Sequence, residues 1–235
     1  MKTIGLLGGM SWESAQIYYQ TINRQVRDAH PNDGLTSAPI ILDSINFAPM
    51  AQWQRDSNWL AAGQLLAQRA QMLEAAGAEV LGLCTNTMHK VYDTIVAAID
   101  IPMIHIAQPT IAALQASGIQ RAAFLGTRFS MSESFLYDVY AAHGIELVRP
   151  DAPQQDIIHQ IIMQELCQGS VQATSREAYL TIIDQLQQRG AQAVVLGCTE
   201  IILLIRPQDC TLPIFDTTDL HAQALAKACM SGIKP

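Results

Sequence analysis

Short apolar segments alternate along the chain with longer segments in which apolar residues recur every three or four positions. The short runs, which predict strands, lie at 3–7, 39–44, 79–83 and 102–106. The segments with helical spacing begin near Ser11 and continue at 60–76 and 88–99. The helix at 60–76 ends at Gly77, a residue type common at helix C-termini. Strands and helices in this order, with short links, predict a parallel doubly wound sheet.

The same alternation begins again in the second half of the chain. Further strands are predicted at 122–125, 193–196 and 212–216, and further helices at 131–143 and 179–189. Gly77-Ala78-Glu79 and Gly190-Ala191-Gln192 each join a helix to a strand, which indicates an internal repeat of about 110 residues. Aligned from these glycines without a gap, Cys198 matches Thr85 and not Cys84. Because any α/β protein contains helix–glycine–strand units, coincidence is the alternative to a repeat.

Composition excludes several classes of function. The chain has 14 Lys and Arg against 21 Asp and Glu, a net charge of −7 and no basic run, which argues against binding to nucleic acid. Its apolar runs fall short of the roughly 18 residues that a membrane span needs, and 1–9 lacks the hydrophobic region of a signal peptide. Five cysteines without a Cys-x-x-Cys pair predict neither a disulfide framework nor a zinc ribbon. We therefore expect a cytoplasmic protein with no metal site.

Four turns carry polar or reactive side chains at the predicted carboxyl ends of strands, where open parallel sheets bind ligands. They are Gly8-Gly9-Met10, Cys84-Thr85-Asn86-Thr87, Gly126-Thr127 and Cys198-Thr199-Glu200. Two domains related by pseudo-twofold symmetry would direct these turns into one cleft. The hydroxyl, amide and backbone N–H groups suit a carboxylate ligand, although capping of the turns would use the same groups.

Cys198 is the candidate nucleophile or proton base, because it lies between a strand and a predicted helix start. A helix N-terminus lowers the pKa of a thiol from about 8.5 toward neutrality, and a thiolate can take up a proton. The alternative is a buried cysteine that only packs. Cys84 precedes the matching turn position, and since strand side chains alternate between faces, it should point away if Thr85 faces the cleft. His89, in the following helix, is a candidate for orienting Thr85 or Asn86.

Together these motifs resemble the aspartate/glutamate racemase superfamily over nearly the whole chain. The residues that carry the resemblance are Gly8-Gly9-Met10-Ser11-Trp12, Cys84-Thr85-Asn86-Thr87-Met88-His89, Leu125-Gly126-Thr127-Arg128 and Gly197-Cys198-Thr199-Glu200. The resemblance implies two pseudo-symmetric flavodoxin-like (Rossmann-like) α/β domains, 1–107 plus 210–235 and 108–209, with the active site in the cleft between them. It also implies a homodimer, a small amino-acid substrate, and racemization without a cofactor by two cysteines, one on each face of Cα.

One position departs from the family pattern. Most members read Cys-Asn-Thr-x-His, and Asn86-Thr87-Met88-His89 matches the end of that motif, so that Thr85 stands where the first catalytic cysteine belongs. The chain resembles the L-aspartate/glutamate-specific subtype with a Thr/Cys pair. That resemblance implies that Cys198 takes the Cα proton of the L substrate and that Thr85 serves the opposite face. The residues expected to bind substrate are Met10, Gln54, Thr85, Asn86, Thr87, Thr127, Thr199 and Glu200.

The substrate stays open at this point. Aspartate racemases of the family hold the side-chain carboxylate with an Arg after the second strand and a Lys in the second domain. This chain has Gln52, Gln54 and Arg55 near the first place and Gln172 near the second. An amide holds a carboxylate less strongly than a cation does. A racemase of L-aspartate and L-glutamate is favoured. The alternatives are a broad-specificity racemase, a maleate-isomerase-like or hydantoin-racemase-like enzyme, and a non-catalytic protein that binds small carboxylates.

Overall fold

A computed structural model describes residues 1–231, which divide into two compact units. The first unit comprises Met1–Ile106 together with the chain from Thr218 onward, and the second comprises Ala107–Thr217. Each unit is an α/β domain built on its own parallel sheet. The expected fold class, two similar α/β domains with parallel sheets flanked by helices, is confirmed.

The first unit carries the N-terminal sheet. Its strands are β1 (Ile4–Gly8), β2 (Ile40–Ser44), β3 (Val80–Leu83) and β4 (Met103–Ile104). Its helices are α1 (Trp12–Asp28), α2 (Phe47–Arg55), α3 (Trp59–Ala75) and α4 (Tyr92–Val96), and α11 (Thr217–Met230) returns to it at the end of the chain. A 3₁₀ turn, Thr87–Val91, precedes α4.

The second unit repeats this plan. Its strands are β5 (Arg121–Gly126), β6 (Glu146–Val148), β7 (Ala193–Gly197) and β8 (Ile214–Asp216). Its helices are α5 (Ala107–Ala116), α6 (Arg128–Ser132), α7 (Ser134–Ala141), α8 (Ala152–Gln164), α9 (Ala173–Gln188) and α10 (Ile201–Leu204), with 3₁₀ turns at Leu166–Gln168 and Pro207–Asp209. Within residues 1–231 the two sheets have four strands each, in the orders β2-β1-β3-β4 and β6-β5-β7-β8.

The division between the units differs from the boundary expected at 209/210. Strand β8 pairs with β7, and the hydroxyl of Thr217 donates a hydrogen bond to the carbonyl of Leu196 at 2.8 Å. Because these bonds hold the last strand in the second sheet, the chain returns to the first unit after Thr217. The final residues of the expected first domain, 232–235, lie outside the described residues.

Two long predicted helices are interrupted. The segment 88–99 is a 3₁₀ turn followed by α4, and 131–143 is divided into α6 and α7 at Glu133, which has extended backbone angles (φ −92°, ψ 160°). Apolar spacing reports which side chains are buried, and a single extended residue leaves that spacing almost unchanged. The pattern therefore locates the buried face but misses the break.

Burial on both faces explains the apolar strands of the first sheet. Leu81 and Leu83 of β3 pack in the cluster formed with α2 and α3, whereas Val80 and Cys84 pack on the opposite face against α1 and α11. Strand side chains alternate between faces, so a parallel sheet covered on both sides needs apolar residues at every position. At Gly82 of the same strand, a Cβ atom would lie only 2.5 Å from the side chain of Leu225 of α11.

The turn after β1 requires glycine at position 9. Gly9 has a φ of +85°, and a Cβ atom there would overlap the backbone of Ile45, whose amide nitrogen donates to the carbonyl of Gly8 at 3.1 Å. The hydroxyl of Ser11 then caps α1 by accepting from the amide of Ser14 at 3.3 Å. This capping confirms the helix start predicted near Ser11.

Replacing Gly9 by alanine should destabilise the first unit more than the same change at Gly77. Gly77 also has a positive φ, +99°, but among the described residues nothing lies within 4 Å of its Cβ position. Gly77→Ala should therefore cost only the penalty of a left-handed backbone with a Cβ atom, about 1–2 kcal/mol. Gly9→Ala must also displace the Ile45 backbone and should cost at least about 2 kcal/mol more. Urea unfolding of both variants measures the difference, and equal losses would show that the Ile45 contact is unimportant.

Candidate functional site

The turn after β3 buries one side chain and exposes the next. Cys84 is fully buried on the α1/α11 face of the sheet, packed with Ala222 and Cys229. This burial raises the pKa of its thiol far above the ordinary value, because a thiolate would have no water around it. Thr85 follows it and is partly exposed. Of these two side chains, only that of Thr85 is available to a ligand at the end of β3.

The main chain of Thr85 is held by a buried histidine. Nδ1 of His89 lies 2.8 Å from the carbonyl oxygen of Thr85, and the amide of Ile106 donates to Nε2 of His89 at 3.1 Å. A carbonyl only accepts and an amide N–H only donates, so the ring carries its proton on Nδ1. Of the two residues that His89 was expected to orient, Thr85 and Asn86, the ring bonds the carbonyl of Thr85.

His89 belongs to a buried aromatic cluster. Its ring centroid lies 4.6 Å from that of His105 and 6.1 Å from that of His221. His221 is held between the hydroxyl of Tyr18, 2.7 Å from Nδ1, and the carbonyl of Ile104, 2.9 Å from Nε2. Burial lowers the pKa of all three rings, to about 4 for His105, to about 3 for His221 and well below the ordinary value for His89. The cluster is therefore uncharged at neutral pH.

The turn after β7 carries the thiol of Cys198. The strand ends at Gly197, where a Cβ atom would overlap the ring of Phe124, so only glycine fits at this position. Cys198 is partly exposed, and its Sγ donates a hydrogen bond to Oε2 of Glu200 at 3.0 Å. The hydroxyl of Thr199 donates to the same oxygen at 2.6 Å. One carboxylate oxygen thus accepts from both neighbouring side chains.

The electrostatics of Cys198 correct the expectation of a lowered pKa. Burial raises its pKa well above the ordinary value, and the charge and hydrogen bond of Glu200 raise it further. The helix that follows, α10, has only four residues and starts at Ile201, so its dipole gives little compensation. Cys198 is therefore a protonated thiol at rest. The acceptor role of Glu200 was missed, because an acidic residue two positions after a cysteine gives no signal of its own in the sequence.

Both turns lie at corresponding places in their sheets. Leu83 pairs with Leu7 of β1, and Leu196 pairs with Leu125 of β5. Thr85 lies two residues after Leu83, and Cys198 lies two residues after Leu196. The spacing between Thr85 and Cys198 equals the spacing between Gly77 and Gly190. The gap-free alignment of the repeat therefore agrees with the strand register of each unit.

The other expected binding residues take different positions. Asn86 and Thr87 are buried in the turn after β3, and Met10 is buried in the core cluster with Ile45 and Met50. Gln54 is buried in α2, and its amide donates to Sδ of Met88 at 3.0 Å, which places it beneath the same turn. Thr127 follows β5 and is partly exposed, with its hydroxyl 3.1 Å from that of Ser130.

Neither position expected to hold a side-chain carboxylate offers a buried cation. Arg55 is exposed and donates to Oε1 of Gln52 at 2.6 Å. Gln172 is exposed at the start of α9.

In residues 1–231, no group of three or more His, Cys, Asp and Glu side chains is arranged to hold a metal ion. Over the same residues, no helix is both long enough and apolar enough to cross a membrane.

Comparison with known proteins finds relatives over nearly the whole chain. The family model described as Asp/Glu/Hydantoin racemase matches residues 7–225. The broad specificity amino-acid racemase RacX of Bacillus subtilis (strain 168) is 26% identical over 162 residues, 69% of this chain and 68% of RacX. A candidate Asp/Glu racemase from Yersinia pestis is 44% identical, with a TM-score of 0.91 over 98% of this chain and 100% of that one. An aspartate racemase homologue from Pyrococcus horikoshii OT3 is 28% identical, with a TM-score of 0.86 over 98% and 100%.

The buried histidine cluster predicts a loss of stability in mild acid. An unfolded histidine binds a proton near pH 6.5, whereas His105 does so only at about pH 4 in the folded chain. Between these values the unfolded state holds more protons, so the free energy of unfolding should fall as the pH falls from about 6.5 to about 4. Urea unfolding at a series of pH values measures this slope, and His105→Gln should reduce it. A stability that is constant from pH 7 to about pH 4.5 would contradict the prediction.

Proposed function

Because the chain belongs to the Asp/Glu/hydantoin racemase family, we propose that it inverts L-aspartate and L-glutamate at Cα without a cofactor. Family membership makes it an isomerase. The observation that carries the proposal is the partly exposed thiol of Cys198, hydrogen-bonded to the buried carboxylate of Glu200 at the end of β7. From the resemblance we also propose that Thr85 and Cys198 serve opposite faces of one substrate, and that the enzyme is a cytoplasmic homodimer.

Cys198 would act on the L enantiomer. The thiol first passes its proton to Oε2 of Glu200, 3.0 Å away, which leaves a thiolate beside a neutral carboxylic acid. The thiolate then takes the Cα proton, and the electron pair of the C–H bond is delocalised into the α-carboxylate. Without a cofactor this proton is barely acidic, so the site must exclude water and supply hydrogen bonds to the carboxylate.

Thr85 would return a proton on the opposite face of Cα, directly or through a water molecule. A threonine hydroxyl is a very poor base at neutral pH. Removal of the Cα proton from a D amino acid should therefore be slow. The equilibrium between enantiomers in free solution is even, so any one-way behaviour must be a matter of rate. Asn86 and Thr87 share the turn with Thr85 and are our candidates for holding the α-carboxylate, with Thr127 and Thr199 in the second unit.

A broad-specificity racemase is the second candidate. It is favoured by the absence of a buried cation at Arg55 and Gln172 and by the similarity to RacX. Proton NMR in D2O with L-aspartate, L-glutamate and several neutral amino acids separates the two candidates. Loss of the Cα–H signal from the acidic substrates alone supports the first, and loss from most of the panel supports the second. The hydantoin-racemase-like and maleate-isomerase-like alternatives are tested by adding those substrates.

Removing Cys198 should abolish the reaction, and removing Cys84 should not. Cys198→Ala is expected to eliminate exchange of Cα–H with solvent, because no other thiol lies in the turn after β7. Cys84→Ala deletes one buried sulfur from the core and should cost about 1 kcal/mol of stability, with activity kept. The measurement is Cα exchange in D2O with both variants. Loss of exchange in both variants would indicate a two-cysteine mechanism. If the wild type shows no exchange, and ligand binding survives Cys198→Ser, the chain is a binding protein.

Glu200→Gln should change turnover and thiol reactivity in opposite directions. The amide cannot accept the Sγ proton, so the exchange rate should fall about 100-fold. The lost negative charge should lower the pKa of Cys198, so alkylation by iodoacetamide at neutral pH should become faster.

Glu74→Gln is the matched control for Glu200→Gln. One oxygen of Glu74 also accepts two hydrogen bonds, from the amides of Asp100 and Ile101, which precede β4 and so lie at the other end of the sheet from the turn after β3. It should change neither exchange nor alkylation. Unchanged exchange in Glu200→Gln would remove Glu200 from the mechanism.

A further inference from the structure

We propose that His89 is a positioning residue for the racemization, and that its uncharged ring orients Thr85 by holding the carbonyl group of that residue. The inference rests on the proposed function, in which Thr85 serves the second face of Cα. His89 would not touch the substrate. It would act through the main chain of the residue that does.

Both ring nitrogens of His89 are used, and their partners define the tautomer. Nδ1–H donates to the carbonyl of Thr85 at 2.8 Å, and Nε2 accepts from the amide of Ile106 at 3.1 Å. A protonated ring would carry a second N–H on Nε2, directed at the N–H of Ile106. The arrangement is therefore complete only for the neutral ring with its proton on Nδ1.

The partner on the far side of the ring is itself fixed. Ile106 follows β4 closely, and the carbonyl of Ile104 in β4 accepts from Nε2 of His221 at 2.9 Å. His221 is held in turn by the hydroxyl of Tyr18 in α1, 2.7 Å from Nδ1. The chain of hydrogen bonds from Thr85 through His89 therefore ends at Ile106, two residues after a strand that is bonded to α11 and, through it, to α1. A turn held in this way has little freedom to rotate.

The arrangement at His89 differs from the local contact that His143 makes. Nδ1 of His143 lies 2.8 Å from the carbonyl of Val139, four residues earlier, which is the same spacing as between His89 and Thr85. His143 is exposed, whereas His89 is only 3% exposed and uses its second nitrogen as well. The carbonyl held by His89 also belongs to the residue to which the mechanism assigns a proton.

The consequence for catalysis follows from the geometry of one residue. The carbonyl carbon and the side chain of Thr85 are bonded to the same Cα. Without the His89 hydrogen bond the peptide group could rotate, and this rotation would move the hydroxyl. A displacement of about 1 Å of a reacting group costs about 100-fold in rate. Cys198 lies on a different turn in the other unit, and both ring nitrogens of His89 are bonded within the first unit. Loss of the His89 bond should therefore impair reprotonation on the Thr85 face more than proton removal by Cys198.

Two substitutions at His89 separate its two hydrogen bonds. His89→Asn keeps an N–H donor at the Nδ1 position, within reach of the Thr85 carbonyl, and loses the acceptor for Ile106. His89→Gln places an amide oxygen near the Nε2 position, where it can accept from Ile106, and leaves the Thr85 carbonyl without its donor. Two rates are measured with L-glutamate in D2O: loss of Cα–H by NMR, and formation of the D enantiomer by chiral chromatography.

The expected result is a change in the ratio of these rates. His89→Gln should lower the ratio of inversion to exchange at least about tenfold, with KM little changed. His89→Asn should keep the wild-type ratio. His143→Asn and His143→Gln are the matched controls and should leave both rates unchanged. A wild-type ratio in His89→Gln, an equal fall of both rates, or the same loss in both His89 variants would overturn the proposal.

A spectroscopic measurement tests the hydrogen bonds without activity. Nitrogen-15 NMR of the wild-type imidazole rings should assign a protonated Nδ1 and an unprotonated Nε2 to His89. The opposite tautomer would overturn the inference whatever the rates. A wild-type protein that neither exchanges nor inverts any amino acid would instead refute the proposed function and with it the catalytic role of His89, while the NMR result would still decide whether the ring holds the Thr85 carbonyl.

Discussion

The two-residue period of a strand buried on both faces decides which side chains of this protein can do chemistry. Just after β3 this period sends Cys84 into the core between the sheet and helices α1 and α11, and leaves Thr85 partly exposed. A shift of one residue would exchange a hydroxyl for a thiol at this place. The register is set by pairing along β1, where Leu7 lies opposite Leu83. The proposed use of a hydroxyl on one face of Cα and a thiol on the other therefore follows from packing, which buries Cys84 and leaves Thr85 at the strand end.

Burial keeps the thiol in one unit and the histidine rings in the other in their uncharged forms. In the second unit a buried carboxylate accepts from Cys198 and Thr199, which keeps the thiol protonated until its proton is passed on. In the first unit, three buried histidines are held uncharged by the lack of water. An uncharged ring can both donate and accept, and His89 uses this to join the Thr85 turn to the end of β4.

Much of the fold and part of the candidate site were predictable from the sequence. Alternating apolar runs and helical segments predicted the α/β class, and the glycines at 77 and 190 aligned Thr85 with Cys198. Breaks in the helices were not predictable, because Glu133 leaves the helical conformation without changing the apolar spacing. The raised pKa of Cys198 was missed for a related reason: burial and the approach of Glu200 depend on how the turn folds. Neither has a signature in the order of residues.

The sequence by itself determined the alternation of strands and helices, the repeat and the residue types at the strand ends, because each leaves a local pattern of apolar and glycine positions. Tertiary structure alone decided which of these residues became partners. His89 meets Ile106 only because the sheet brings the end of β4 beside the turn after β3. His221 meets Tyr18 only because α11 packs with α1 on one face of the sheet. Contacts between residues far apart in the chain depend on packing, and packing places the return of the chain at Thr217 and not at 209. Hydrogen bonds of this kind leave no periodic trace in a sequence.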